Sequence, residues 1–162
     1  MAQLPVGAIA GAATWMLGLG AMGIVATDLT PWYYGLRKPE WKPSDKLFGP
    51  VWSTIFLLAA VAFVLAWSSP AADAASRSRL VLVYAVNAVL NVLWSWLFFR
   101  MRRPDLALIE VVPLWLSIAA MIWALRPLTP VGAWLLAPYL AWVSFATVLN
   151  RAIVRLNGPF GG

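Results

Sequence analysis

Five stretches of this chain are long and apolar enough to cross a bilayer, which leaves very few architectures open to it. They run over residues 5–27, 48–67, 79–99, 105–126 and 131–154. A membrane helix needs about 20 mostly apolar residues. In hydrocarbon every backbone N–H and C=O must be satisfied inside the protein, so separate apolar runs of this length read as helices. Charged residues make up 11% of the chain and hydrophobic ones 62%, whereas a soluble domain carries about a quarter charged residues. The expected fold is an all-α integral membrane protein, one domain over residues 1–162 built as a five-transmembrane-helix bundle. The connections are the small polar stretch 68–79, the basic turn 100–105 and the Pro-closed turn 126–130. Short loops of this kind make the last three spans antiparallel neighbours. The first span has no Lys or Arg before it, so it reads as a helix and not as a cleaved leader.

Charge is distributed unevenly about these spans. Arg77, Arg79 and Arg126 fall on one side. Arg37, Lys38, Lys42, Lys46, Arg100, Arg102, Arg103, Arg151 and Arg155 fall on the other. The positive-inside rule places the richer side in the cytoplasm, with the N-terminus outside and the C-terminus inside. The net charge of +6 then reads as orientation and attraction to anionic head groups, not nucleic-acid binding. Neither His nor Cys occurs in the chain. That removes the usual zinc sites, Ser-His-Asp triads, Cys-His dyads and the common haem axial ligands, so no metal site is expected.

Polar and aromatic residues within the spans recur at helical spacing. Asn87, Asn91, Trp94 and Phe98 share one face of the third span. Trp52, Phe56, Ala59 and Phe63 share one on the second, Glu110, Leu114, Ser117 and Met121 on the fourth, and Tyr139, Trp142, Ala146 and Asn150 on the fifth. Such faces can converge on one interior. An Asn in a span either ties a neighbouring helix or lines a site, and both readings stand for Asn87, Asn91 and Asn150. A carboxylate in a span costs at least about 2.5 kcal/mol on insertion scales. Glu110 is therefore either functional or paired with Arg102 or Arg103 near the helix end. Trp67, Trp123 and Trp134 sit near span ends as an interfacial belt, while Trp15 and Trp115 lie mid-span as packing residues. Pro50, Pro113 and Pro138 bend their helices and can open space between them. "GAIAG" (7–11) has the spacing of a helix-contact face.

The first connection, 28–47, is longer than a hairpin needs. With its flank it reads "WYYGLRKPEWKPSDKLFGPVW" (32–52), with prolines that stiffen it and four cations. Trp32, Trp41 and Phe48 can rest on an apolar mouth, and Arg37, Lys38, Lys42 and Lys46 can meet carboxylates. Equally, the four cations can hold the loop inside and touch anionic lipid.

Three blocks, "WYYGLRKPEWKP…FGPVW", "NAVLNVLWSWLFF" and "APYLAWVSFATVLN", occur in order along the chain. Together they resemble the tryptophan-rich sensory protein family, the TspO/MBR group that includes the mitochondrial translocator protein. The resemblance implies a five-helix membrane bundle that forms homodimers, here in a bacterial cell membrane. It implies binding of porphyrins such as protoporphyrin IX or haem, and of isoquinoline carboxamides and benzodiazepine-type drugs, in a cavity covered by the first loop. No cofactor is implied. By motif the pocket residues are Trp32, Trp41, Trp52, Asn91, Trp94, Pro138, Tyr139 and Trp142, with Ala146 beside them. Asn87, Phe98, Glu110 and Asn150 join them from the shared faces above. The chain departs from the family pattern at Ser44, where a second loop Pro is usual, which implies a looser lid. It also departs at Arg151 and Ala152, where the mammalian sterol motif requires Tyr, which argues against sterol binding there. Three activities follow from the resemblance: sensing or regulating tetrapyrroles, light-dependent porphyrin breakdown through Trp52 and Trp142, and transport. The absence of internal repeats disfavours transport.

Overall fold

The computed structural model describes residues 5–160. Five helical segments among them are long and apolar enough to span a membrane. They are α1 (Val6–Ala26), α3 (Asp45–Trp67), α4 (Ala74–Ser95, continuing through Arg100), α5 (Pro104–Leu125), and the pair α6 (Pro130–Leu135) and α7 (Ala137–Asn157). A short helix, α2 (Pro31–Gly35), lies within the first loop.

Local chemistry sets several boundaries that differ from expectation. α4 begins at Ala74 and not at 79, because the Asp73 carboxylate accepts from the Ser76 N–H at 2.7 Å and caps the helix. Arg77 and Arg79 therefore lie on the helix. Asp45 opens α3 earlier than residue 48, so Lys46 belongs to its first turn and not to a loop. The fifth span is broken at Leu136, one residue before α7 begins. Pro138 stands there, with no N–H to donate and a ring that crowds the carbonyl of the preceding turn. α7 then continues to Asn157, past the expected end at 154. At the end of α4 the ladder widens, with Met101 N–H bonding Trp96 O at 3.0 Å across five residues. The backbone then turns through Arg102, at φ 55°, into α5.

The long helices form an open ring in the order α3, α1, α4, α5, α7, and α6 packs against α3 and α5. α1 presents Ala8 and Ala12 to the bundle. Gly7 and Gly11 lie one position round from that face, with no atom near where a Cβ would stand. Among the described residues, then, no close helix approach requires the glycines of the GxxxG spacing. Ala59, Ala62 and Ala66 of α3 are fully covered, and Tyr84 of α4 donates to Ala59 O at 2.8 Å. Trp15, mid-span on α1, donates to Tyr84 O at 3.0 Å. α6 is seated closely on α3: a Cβ at Gly132 would stand 2.5 Å from Thr129 Cγ2 and 3.3 Å from Ala62 O. Thr129 cannot swing away freely, since its hydroxyl caps the Gly132 N–H at 3.1 Å.

Overpacking of this kind costs about 1–3 kcal/mol. Gly132→Ala should therefore lower the thermal midpoint of the detergent-solubilised protein. An unchanged midpoint would show that α6 is not held this tightly.

Candidate functional site: an aromatic cleft beneath a basic loop

A chain of hydrogen bonds fixes how α4, α5 and α7 face one another. Asn91 Nδ2 donates to the Tyr139 hydroxyl at 3.0 Å, which donates to Asn87 Oδ1 at 3.1 Å. Asn87 Nδ2 donates to Ser117 Oγ at 2.9 Å, which donates to Leu114 O at 2.7 Å. Asn87, Asn91, Ser117 and Tyr139 are all buried. Asn150, oriented to satisfy its amide, donates to Pro104 O and accepts from Leu108 N–H, each at 3.1 Å. It thereby stitches α7 to backbone groups at the start of α5, where Pro104 is buried. The three Asn residues are thus committed to ties between helices. Trp115 adds another, donating to Ser144 Oγ at 2.9 Å.

α3 and α7 are the ends of the open ring, and a cleft of about 500 Å³ lies between them. Pro50, Val51, Thr54 and Ile55 line one wall, and Pro138, Ala141, Trp142 and Phe145 the other. Pro50, Thr54, Pro138 and Ala141 are exposed, so the cleft opens on the flank of the bundle. Aromatic contacts bridge the same two sides. Trp52 meets Tyr139 edge-on at 5.9 Å, Phe48 meets Trp142 at 5.4 Å, and Trp41 meets Phe145 at 5.9 Å. Of the residues expected in the pocket, Pro138 and Trp142 line this cleft. Trp52 and Tyr139 touch each other beside it, and Trp41 covers its Phe145 edge. Trp32 lies apart, edge-on to Phe98 at 6.4 Å, and Phe98 stacks on Trp94 at 5.3 Å. Ala146 is half-buried on α7. Phe145 lies within the third of the blocks quoted above, three residues after Trp142, but the helical faces did not single it out.

Four side chains leave polar atoms buried without a hydrogen-bond partner among the described residues: Thr30 Oγ1, Trp94 Nε1, Trp142 Nε1 and both Glu110 oxygens. An unsatisfied buried polar atom costs about 1–3 kcal/mol. Of the two readings of Glu110, the pairing with Arg102 or Arg103 does not form. Arg103 instead binds Asp105 with two bonds, at 2.8 and 2.6 Å, and Arg102 faces out.

The basic loop closes over the end of the bundle largely by bonding to itself. Lys38 Nζ donates to Tyr33 O and Leu36 O and lies 4.4 Å from the Tyr33 ring. Burial, and then the nearby Lys42 charge, hold its pKa below the ordinary lysine value. Lys42 pairs with Asp45, which also accepts from the Tyr33 hydroxyl at 2.7 Å. Burial, reinforced by that bond, holds the Tyr33 phenol well above its ordinary value. Arg37 and Lys46 are exposed and form no ion pair among the described residues. Asn157 of α7 clamps the loop: its amide accepts from the Arg37 N–H and donates to Arg37 O, each at 2.8 Å. No sequence pattern marked Asn157, a lone amide at a helix end. Trp123 and Trp134, expected in a belt, are 68% and 77% exposed.

The TspO/MBR family model matches residues 8–156. The chain belongs to the TspO/MBR family. It is 38% identical to the tryptophan-rich protein TspO of Chlorobaculum tepidum, over 85% of this chain and 89% of that protein. It is 33% identical to the tryptophan-rich sensory protein of Cereibacter sphaeroides, over 89% of each. With the human translocator protein it shares 33% identity, over 81% of this chain and 78% of that one. The matched region takes in the loop and the α3–α7 cleft, so both are parts of the TspO/MBR domain.

Asn157→Ala removes both bonds of the clamp. Limited trypsin digestion should then cut after Arg37 faster than in the wild type. Equal rates would show that the clamp does not restrain the loop.

Proposed function

We propose that this protein is a membrane receptor or sensor for tetrapyrroles such as protoporphyrin IX and for other flat apolar molecules. The observation that carries the reading is the cleft between α3 and α7, walled by Trp142 and Phe145 under a basic loop. Its volume of about 500 Å³ falls within the range of small-molecule sites, about 300–1,000 Å³. The aromatic contacts that bridge its two sides are mostly edge-on. A flat guest can replace such contacts with face contacts of similar or greater strength, so opening the site loses little. Arg37 of the loop and Lys46 of the first turn of α3 are the cations left to meet the propionates of a porphyrin, because Lys38 and Lys42 are engaged within the loop and with Asp45. In this reading the loop end faces the cytoplasm, and the receptor works as a homodimer in a bacterial cell membrane.

Light-dependent breakdown of a bound porphyrin is the second reading. It requires an oxidisable indole against the guest, and Trp142 lines the cleft. Trp52 stands behind it against Tyr139, so the two indoles would not contribute equally.

Titrating protoporphyrin IX into the detergent-solubilised protein should quench Trp fluorescence saturably. One aromatic contact is worth about 0.5–1.5 kcal/mol, so Trp142→Ala should weaken binding by ~3- to 10-fold. Trp123→Phe, far from the cleft on the outer surface, should change nothing. Quenching that does not saturate, or that Trp142→Ala leaves intact, counts against the receptor. Illumination of the complex decides the second reading: porphyrin absorbance should bleach in the wild type and less in Trp142→Phe.

A further inference from the structure

Glu110 is 7% exposed, and neither of its oxygens meets a donor. Its position follows from the bond between Asn87 of α4 and Ser117 of α5. α4 and α5 run antiparallel. Trp94 lies about two turns from Asn87 towards the loop, and Glu110 about two turns from Ser117 in the same direction. Each stays on the face that makes that bond. That spacing sets the two residues at one level of the α4–α5 interface, and no hydrogen bond joins them. Phe98 stacks on Trp94 from the loop side. On α7, Ala146 follows Trp142 on the same face and offers only a methyl group. The bonds of Asn87, Asn91 and Asn150 are already made, so no neighbouring amide relieves Glu110.

We propose that Glu110 is a specificity residue: it accepts a hydrogen bond from an N–H group carried by a flat guest that wedges into the bundle from the α3–α7 cleft. Ionised or protonated, a carboxyl keeps an oxygen able to accept, so the role does not depend on its charge. The guest class is a planar heteroaromatic with a ring or lactam N–H, chosen over an equally flat hydrocarbon. A site built to bond an N–H rejects the analogue that lacks it, because its own polar group is then left buried and unpaired. Among the described residues neither Glu110 oxygen accepts a hydrogen bond, and a guest donor would supply one. The inference rests on the receptor reading above and names the group that would discriminate among guests.

Carbazole and fluorene test it, being tricycles of one shape with N–H in the first and CH2 in the second. Equilibrium dialysis against protein in detergent, with empty micelles subtracted, gives their relative affinities. The wild type should prefer carbazole by ~5-fold or more, the effect of one hydrogen bond to a buried acceptor. Glu110→Gln keeps an acceptor and should keep the preference. Glu110→Leu should bring the ratio to about 1 while raising the melting temperature of the guest-free protein, since an unpaired buried polar group is replaced by an apolar one. Equal binding of the two tricycles by the wild type overturns the proposal, and so does a preference that survives Glu110→Leu. Should Glu110→Leu fail to fold, Glu110→Ala is read in the same way. Saturable protoporphyrin quenching alongside equal tricycle binding overturns this inference alone. Absence of binding by all three compounds overturns the receptor reading as well.

Discussion

A single run of hydrogen bonds, from Asn91 through Tyr139, Asn87 and Ser117 to Leu114 O, sets the rotation of three helices. Each hydroxyl in it both donates and accepts a hydrogen bond. Bonds of this sort contribute only about 0.6 kcal/mol on average within membranes. Their effect is therefore selection among arrangements and not bulk stability. Apolar faces of α4, α5 and α7 would pack acceptably at several rotations. The amides and the phenol find their partners at one of them. That rotation is what lays Trp94 and Trp142 against one apolar cluster.

The loop shows a comparable division of labour. Two of its cations are drawn in: Lys38 onto loop carbonyls, and Lys42 onto Asp45, which Tyr33 also holds. A long connection with three internal prolines (Pro31, Pro39 and Pro43) still needs bonds to hold one shape, and here its own lysines provide them. Asn157 then fastens this preformed piece to α7. The remaining charges, on Arg37 and Lys46, stay at the rim where a carboxylate can be met from water.

The five spans were legible because hydrophobic length is a property of each segment alone. The faces bearing Asn87, Asn91, Ser117 and Tyr139 were legible for a similar reason, since helical periodicity decides which residues stand together. What those residues bond to depends on neighbouring helices, so Asn150 and Glu110 remained ambiguous from spacing alone. One proved to be a tie to Pro104 and Leu108; the other has no partner among the described residues. The alanine face of α1 shows the limit of motif reading: Ala8 and Ala12 enter the bundle, while the glycines beside them do not. The open side of the ring and the Asn157 clamp arise from contacts between distant segments. Local pattern carries little trace of such contacts.

On the receptor reading proposed above, the flank opening between Pro50 and Pro138 bears on how a guest would arrive. Oily planar compounds dissolve in lipid far more readily than in water, and a doorway on the side samples the lipid pool. Occupancy should then follow the mole fraction of compound in the membrane and not its aqueous concentration. Two preparations with equal protein but unequal lipid would give different half-saturation points for one and the same intrinsic affinity.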